Sequence, residues 1–288
     1  ATGYIVKPIN HAVLLQEIWV AAGTYKPGSL RSDSFQLIEG VSIYGRFGGT
    51  ETDFTDREAA NQTILSGDID TSGDNDSFHI VKGGVNSVLD SFIIRNGRAD
   101  YAGSSESDGL GGGIYSDEAM TVRNCFIEDN YADRGGGIYV SPKCDSIQIS
   151  NCVLSGNDAA SGGAVSNAGN LSEFVNCTIA ENTADGPGAG LINTGMLVIE
   201  NSIVWDNLIC TTPSSLYNSA GNNKAFIFSS DVQGCIDDVT EQWIPSFGNN
   251  CGGNIDDDPD FDSSSSSGLE LVETSPCINA GDNSIVYE

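Results

Sequence analysis

A cluster of aspartates is the feature of this sequence best suited to binding a metal ion. The stretch GDIDTSGDND places Asp68, Asp70, Asp74 and Asp76 within nine residues around a glycine. Ca²⁺ takes about six to eight oxygen ligands, and alternating carboxylates on a turning loop supply several of them. The stretch therefore predicts a Ca²⁺ site, with a solvated acidic turn as the alternative.

A second group of polar residues lies near glycine-led segments and is suited to acid–base chemistry. This group contains Asp100, Asp108, Asp133 and Arg134. If they share one rim, two carboxylates can act as acid and base in glycoside hydrolysis, and Arg134 can act as the base of a lyase. A chain with 40 acidic residues also aligns several of them by chance, so both interpretations rank below a non-enzymatic one.

Tyr101, Tyr115 and Tyr139 are the candidate sugar-binding residues. Tyr115 and Tyr139 each end a GGGIY segment, one repeat apart. Facing outward, their rings would form a ladder for sugar rings, and facing inward they would belong to the core. The histidines, His11 and His79, are far apart in sequence, so no Ser-His-Asp triad or zinc site is predicted.

A repeat of about 25 residues must position these side chains. Its clearest copies are NCFIEDN, NCVLSGN, NCTIAEN and NSIVWDN, which begin at Asn124, Asn151, Asn176 and Asn201. By eye the register extends to DSFIIRN at 90–96, which aligns Ser91 with the cysteine position, and to SSDVQGC at 229–235. Short β-rich runs at a fixed period predict stacked repeats that bury their apolar columns against each other.

The predicted fold is an all-β, right-handed parallel β-helix in one domain, residues 1–288. It has about nine rungs of roughly 25 residues, each with three strands, and loop insertions at 47–62, 66–77, 97–111 and 209–224. Residues 1–16 form a short cap or first strand, 17–235 the rungs, and 236–288 an irregular closing region. Asparagines at the corners are predicted to adopt the left-handed conformation and to stack their amides.

The eight cysteines divide into two groups. The first group stands in the inward column of the repeat, where parallel rungs give poor geometry for a bridge, so packed thiols are expected at Cys125, Cys152 and Cys177. The other five lie outside this column and include the better disulfide candidates. Our first candidate pairs are alternatives, Cys210 with Cys235 or Cys235 with Cys251.

The net charge of −28 excludes nucleic acid as a partner and disfavours anionic membranes. It also makes binding of polyuronates or sulfated glycans unfavourable without metal ions. No run of about 18 apolar residues is present, so no membrane span is predicted. The composition indicates an exported protein, extracellular or at the cell surface, with its signal peptide removed.

Several phrases resemble a known family. EIWVAAGTYKPG, SSDVQG, NIDDDPDF and SPCINAGDNS are similar to bacterial β-helix proteins of the choice-of-anchor Q domain type. The GGGIY and NCxIxxN rungs resemble polymorphic outer-membrane and pectate-lyase-like β-helix repeats. The likeness covers Glu17 to Ser284 and implies a fold rather than an activity. In the family, a longer N-terminal segment with a capping helix precedes the EIWVAAGTY phrase, and a tail follows the SPCINAGDN phrase. Both segments are short here, which implies lightly capped ends suited to end-to-end stacking.

Three functions are carried forward. The first is a non-enzymatic structural or adhesive rod that assembles with itself into a filament or sheath. The second is a polysaccharide lyase or glycoside hydrolase, and the third is a carbohydrate-binding module. The expected partners are further copies of the chain or an extracellular polysaccharide, with Ca²⁺ as the one expected cofactor.

Overall fold

Stacked parallel strands make up nearly all of the regular secondary structure in the computed structural model. It describes residues 4–7, 16–70, 76–100, 105–219, 224–265 and 267–284. The chain winds through about eight turns of a parallel β-solenoid with three long sheets, so the predicted fold class is confirmed. Among the described residues, no helix has the length and apolar character needed to cross a bilayer.

The three long sheets run along the rod, one strand per turn. Sheet 1 contains Tyr4–Lys7, Gln16–Ala21, Val41–Phe47, Ser87–Asp90, Met120–Arg123, Ile147–Ser150, Ser172–Val175, Leu197–Glu200, Ala225–Phe228 and Asn249–Asn250. Sheet 2 contains Gly23–Tyr25, Thr63–Ser66, Ile93–Arg95, Phe126–Glu128, Val153–Ser155, Thr178–Ala180, Ile203–Trp205 and Asp231–Val232. Sheet 3 contains Phe35–Gln36, Val81–Lys82, Ile114–Ser116, Ile138–Val140, Val165–Asn167, Leu191–Asn193 and Leu216–Asn218.

A short ladder continues sheet 2 beyond the next corner, which the sequence did not predict. It contains Arg98–Ala99, Tyr131–Arg134, Asp158–Ser161, Thr183–Ala184, Leu208–Ile209 and Thr212–Pro213. Among the described residues, three antiparallel strand pairs and one bridge, Ile236 with Trp243, break the parallel pattern. The strand pairs are Tyr4–Lys7 with Gln16–Ala21, Leu208–Ile209 with Thr212–Pro213, and Phe261–Asp262 with Glu270–Leu271. Short 3₁₀ helices lie at Phe54–Asp56, Glu106–Gly109 and Pro245–Phe247.

The alternation of inward and outward side chains along each strand explains how the apolar core forms. In sheet 3, Ile114, Ile138, Val165 and Leu191 are in register and completely buried. Burying each such side chain contributes about 1.5–3 kcal/mol, and the columns merge into one core that runs the length of the solenoid. Each glycine cluster before this sheet opens with a left-handed residue, as at Gly135 with φ 66°.

The four clear copies stack in the predicted register, but the copy at 90–96 is displaced by one residue. Leu89 pairs with Val122, and Ile94 pairs with Ile127. Phe92 therefore takes the place that the alignment gave to Ser91. The alignment by eye was wrong here because both strands carry adjacent apolar residues, and only packing decides which of them faces inward.

The two asparagine columns have different structures. In the first, between sheets 1 and 2, Asn124, Asn151 and Asn176 have φ of 53–55°, the predicted left-handed corner. In the second, Asn130, Asn157, Asn182 and Asn207 are buried, and each of the first three amides donates to the next at 2.8–3.0 Å. The asparagines of the first column therefore allow the backbone to turn the corner, and those of the second column form the amide ladder.

The inward cysteines are stacked as predicted. Cys125, Cys152 and Cys177 are at most 2 % exposed, and all three are free thiols. The Cys125 N–H donates to Cys152 Sγ at 3.4 Å, and the Cys177 N–H donates to Ser202 Oγ at 3.0 Å. Burial, together with the neighbouring thiols, raises the pKa of Cys152 well above its ordinary value. The three buried thiols therefore act as small packing groups.

The last 50 residues cover the rod more closely than expected. Trp243 and Phe247 pack against the core, and the Trp243 indole donates to Gly248 O at 2.8 Å. Beyond them, residues 269–282 form a strap across the outside of sheet 2. The Asn201 amide holds this strap through two hydrogen bonds to the backbone of Asp282, at 2.8 and 3.0 Å. Trp243 and Phe247 therefore cover part of the core, and the strap covers part of the outer side of sheet 2.

Candidate functional site

The predicted rim aspartates lie on the outer side of the short ladder. Ala99 pairs with Ala132, and both alanines are completely buried. Because successive side chains alternate between faces, Asp100 and Asp133, which follow these alanines, point outward in adjacent turns. The structure brings these two predicted residues together.

Two arginines hold the Asp100 carboxylate. Arg31 Nη2 lies 2.8 Å from Oδ1, and Arg98 Nε lies 3.0 Å from Oδ2. Arg31 is itself fixed, since it donates to the backbone oxygens of Asp76 and Arg98, both at 2.9 Å, and its guanidinium lies 4.3 Å from the centre of the Phe78 ring. The two arginines thus compensate the negative charge of the Asp100 carboxylate and fix its orientation.

Asp133 has different surroundings. Partial burial raises its pKa, repulsion by Asp100 raises it further, and Arg134 lowers it. A carboxyl group with a raised pKa beside a second, fixed carboxylate is the combination used in glycoside hydrolysis.

The other two rim candidates have different roles. Leu110 forms a β-bridge with Arg134, which places the 3₁₀ helix Glu106–Gly109 beside the ladder. The Asp108 carboxylate accepts the Ser105 N–H at 3.0 Å and so caps that helix. Arg134 is exposed and close enough to influence Asp133. Asp100, Asp133 and Arg134 therefore form one group, and Asp108 serves local structure.

Tyr115 and Tyr139 face outward and stack on each other. Their ring centroids are 5.8 Å apart and their planes differ by 6°. His79 packs against Tyr115 with a centroid distance of 5.2 Å, and Tyr139 is only 9 % exposed. The ladder is present, but its ring faces contact one another along the rod, which leaves mainly ring edges for a sugar. The third candidate, Tyr101, lies outside the described residues.

His79 is a buried, neutral member of this stack. Its Nδ1 lies 3.1 Å from Gly111 O and therefore carries the proton, since a carbonyl oxygen only accepts. Its Nε2 is buried without a hydrogen-bond partner. Burial is the main cause of a pKa lowered to about 4. The ring therefore remains uncharged at neutral pH.

The predicted calcium loop is only partly described. Asp68 pairs with Lys26 at 3.6 Å. Asp76 is 8 % exposed, its Oδ1 has no hydrogen-bond partner, and burial, Asp68 and Asp70 raise its pKa to about 6. Asp74 lies outside the described residues. Within the described part of the chain, no three His, Cys, Asp or Glu side chains are placed to hold a metal ion, so the Ca²⁺ site stays a prediction.

The disulfide candidates are separate thiols in this structure. Cys210 and Cys251 are exposed and free. Cys235 is completely buried, and its Sγ donates to Ile255 O at 3.6 Å. Neither first-choice pairing is formed, because Cys235 belongs to the core at the last turns while the other two face solvent.

A buried carboxyl group under the strap was missed in the sequence. Asp231 is 3 % exposed and accepts the Cys277 thiol at 3.0 Å and the Asp257 N–H at 3.3 Å, beside a cavity of about 180 Å³. Burial is the main cause of a pKa raised to about 7. The repeat contained a signal for this residue. Asp231 pairs with Ile203, so an acidic side chain stands in sheet 2 where the preceding turn has an apolar one.

The chain was compared with protein-family models, with curated proteins and with solved structures, and none of the three comparisons gave a match. The coordinates establish a parallel β-solenoid, and the likeness to one particular β-helix family rests on the sequence phrases alone.

Proposed function

We propose that this chain is an extracellular or cell-surface rod with a structural or adhesive role, related to the choice-of-anchor Q type of β-helix protein. The observation that carries the proposal is the amide ladder from Asn130 to Asn207, which ties four successive turns together through buried side chains. Such ladders stiffen a solenoid along its axis. A net charge of −28 keeps its exterior solvated.

The covered C-terminal end favours contacts along the sides of the rod over stacking through that end. Trp243 and Phe247 pack against the core, and the 3₁₀ helix Pro245–Phe247 contacts Leu216–Asn218, the last strand of sheet 3. The partners we propose are further copies that associate laterally, or an extracellular polysaccharide. Negative-stain electron microscopy over a range of concentrations tests assembly. We expect bundles or sheets, and monodisperse rods about 38 Å long, eight turns of ~4.8 Å, would refute it.

Adhesion is tested separately by co-sedimentation of the purified chain with insoluble polysaccharides. A chain that neither assembles nor sediments with any of them has no structural or adhesive role of the kind proposed.

A second function, glycan cleavage, is favoured by the pairing of Asp100 with Asp133. In this proposal Asp133 is the acid, and Asp100, held by Arg31 and Arg98, is the second carboxylate. Incubation with a panel of polysaccharides should release new reducing ends. The rate should fall as the pH rises through the raised pKa of Asp133, because its acid form is then lost.

The matched control compares Asp133→Asn with Asp158→Asn. Asp158 lies on the outside of the same ladder one turn further on, where it accepts the Thr183 hydroxyl at 2.7 Å. We expect the first variant to lose activity and the second to keep it. Equal activities in the two variants, or cleavage products with unsaturated ends, would exclude this assignment.

A further inference from the structure

The insertion after sheet 1's third strand folds onto the outside of that sheet. Phe54 packs edge-on against Tyr44, with ring centroids 4.8 Å apart, and also contacts Trp19 and Phe47. Trp19 and Phe47 stack at 4.7 Å and, with Tyr44, form a second apolar cluster outside the main core. This packing gives the loop at 48–62 a firm attachment, so the cleft it borders has fixed walls.

Arg57 on this loop is held rigidly. Its guanidinium lies 4.0 Å from the centre of the Phe54 ring, and its Nη1 lies 3.4 Å from Asp90 Oδ1. Asp90 is 1 % exposed and also binds Arg123 at 2.8 Å and the Asn124 amide at 3.2 Å. Arg57 is therefore pre-oriented by a buried carboxylate, and a guanidinium has five N–H donors, so further donors are left for a ligand.

Arg46 is the more unusual residue. Its φ is 67°, near the corner where Asn124, Asn151 and Asn176 adopt the same left-handed conformation. The left-handed conformation destabilises an L-residue with a long side chain by about 1–2 kcal/mol, a cost that asparagine largely avoids. Within the described part of the chain, Arg46 makes no ion pair within 4.0 Å, although it is half-buried. Its backbone N–H donates to Thr63 Oγ1 at 2.9 Å and its carbonyl accepts the Glu58 N–H at 3.2 Å, so the left-handed backbone is held in place by its neighbours while the guanidinium has no ion pair.

Arg46 and Arg57 line the same cleft, which has a volume of about 450 Å³ and is also lined by the exposed Thr55 and the buried Ser91. A volume of roughly 300–1,000 Å³ is usual for a ligand site. This volume suits a ligand of about one or two sugar residues.

The side chains that line this cleft carry a net positive charge, since Arg46 and Arg57 are positive and Glu58 is negative, which leaves +1. Acidic residues surround this lining, because Asp90 is buried beside Arg57, and Asp53 and Asp56 lie on the same loop. The whole chain carries −28, so the cleft differs in sign from its surroundings. At about 0.15 M salt the Debye length is about 8 Å, so distant carboxylates are screened and the local arginines dominate.

We infer that this arginine cleft binds an oxyanion, a carboxylate or a sulfate ester, carried on a sugar-sized molecule. Arg46 supplies the unpaired charge, and Arg57 supplies oriented donors that match a carboxylate or sulfate edge. The hydroxyls of Thr55 and Ser91 donate to Asp53 and Asp90, so the two arginines are the groups that recognise the anion. This inference does not depend on the rod assembling or on glycan cleavage.

Calorimetric titration with sodium glucuronate, sodium sulfate and glucose in about 0.15 M NaCl tests the inference. We expect at least one anion to bind, and glucose to bind at least tenfold more weakly than that anion. Binding of glucuronate alone assigns a carboxylate, and binding of sulfate assigns a sulfate ester as the natural group. Glucose binding as tight as glucuronate, or no binding of any probe at about 10 mM, would overturn it.

The decisive variant is Arg46→Asn, because asparagine suits the left-handed corner. We expect anion affinity to fall at least tenfold while the melting temperature stays equal or rises. Lys143→Asn removes the same charge at an exposed position elsewhere and should bind like the wild type. Undiminished binding by the Arg46 variant would show that the cleft is not the anion site.

Discussion

Removing one member of the amide ladder should destabilise the solenoid far more than removing a corner asparagine. Asn157 is completely buried. Its amide donates to Ile127 O, Ser155 O and Asn182 Oδ1 at 2.8, 3.2 and 2.9 Å. Its Oδ1 accepts the backbone N–H and the side-chain amide of Asn130, at 3.2 and 3.0 Å. Asn157→Ala deletes all of these contacts.

The magnitude follows from which groups are left without partners. The Asn130 backbone N–H loses its acceptor, and a buried unsatisfied donor costs about 1–3 kcal/mol. The other four hydrogen bonds are worth about 0.5–1 kcal/mol each, since several of their partners keep a second bond. The total is about 4 kcal/mol. With an unfolding entropy of about 2.1 cal/mol/K per residue, this lowers the melting temperature by about 7 °C.

The matched control is Asn151→Gly at the corner of the same turn. Asn151 is exposed, has φ 53°, and accepts one hydrogen bond from Asn176 at 3.2 Å. Glycine adopts this conformation freely, so we expect a loss below about 1 kcal/mol. Thermal unfolding followed by circular dichroism measures both variants. If their melting temperatures agree within about 2 °C, the different roles assigned to the two asparagine columns are incorrect.

Three further predictions concern charge, thiols and metal. Burial raises the pKa of Asp231 to about 7, so the folded state binds the extra proton, and stability should fall by on the order of 4 kcal/mol as the pH rises from about 4 to 7. Asp231→Asn should flatten that part of a urea-unfolding pH profile, and an unaltered profile would contradict the assignment. Cys210 and Cys251 should react rapidly with a thiol reagent in the native protein, whereas a mapped disulfide from either to the core would contradict the structure. Millimolar Ca²⁺ should raise the melting temperature of the wild type but not of Asp76→Asn, and equal shifts in both would place any Ca²⁺ elsewhere.

Net charge proved a poor guide to local chemistry in this chain. The value of −28 predicts that anions are repelled, yet Arg46 and Arg57 are two of the three charged residues that line one cleft. The acids are spread over many turns, whereas the arginines are brought together by one insertion and by the buried Asp90. Charge over a whole chain governs long-range repulsion, and screened contacts within about 8 Å govern binding.

The residues proposed for glycan binding or cleavage show which contacts the repeat period alone predicts and which it does not. The period places Asp100 near Asp133, and Tyr115 above Tyr139, and both neighbours are found. It does not predict that the tyrosine faces contact each other or that Asp108 caps a short helix. Those outcomes depend on side-chain rotamers and on the path of the insertions, which a period of residues does not encode.

The sequence by itself determined the solenoid, its turn length and the stacking of Cys125, Cys152 and Cys177, because a repeated pattern buries the same positions in every turn. Only the tertiary structure decided the register at Phe92, where neighbouring apolar residues made two pairings equally consistent with the pattern. It also decided the contact of Asp231 with Cys277, 46 positions later. Contacts made by insertions and by the closing strap lie outside the period, so only the folded packing brings them together.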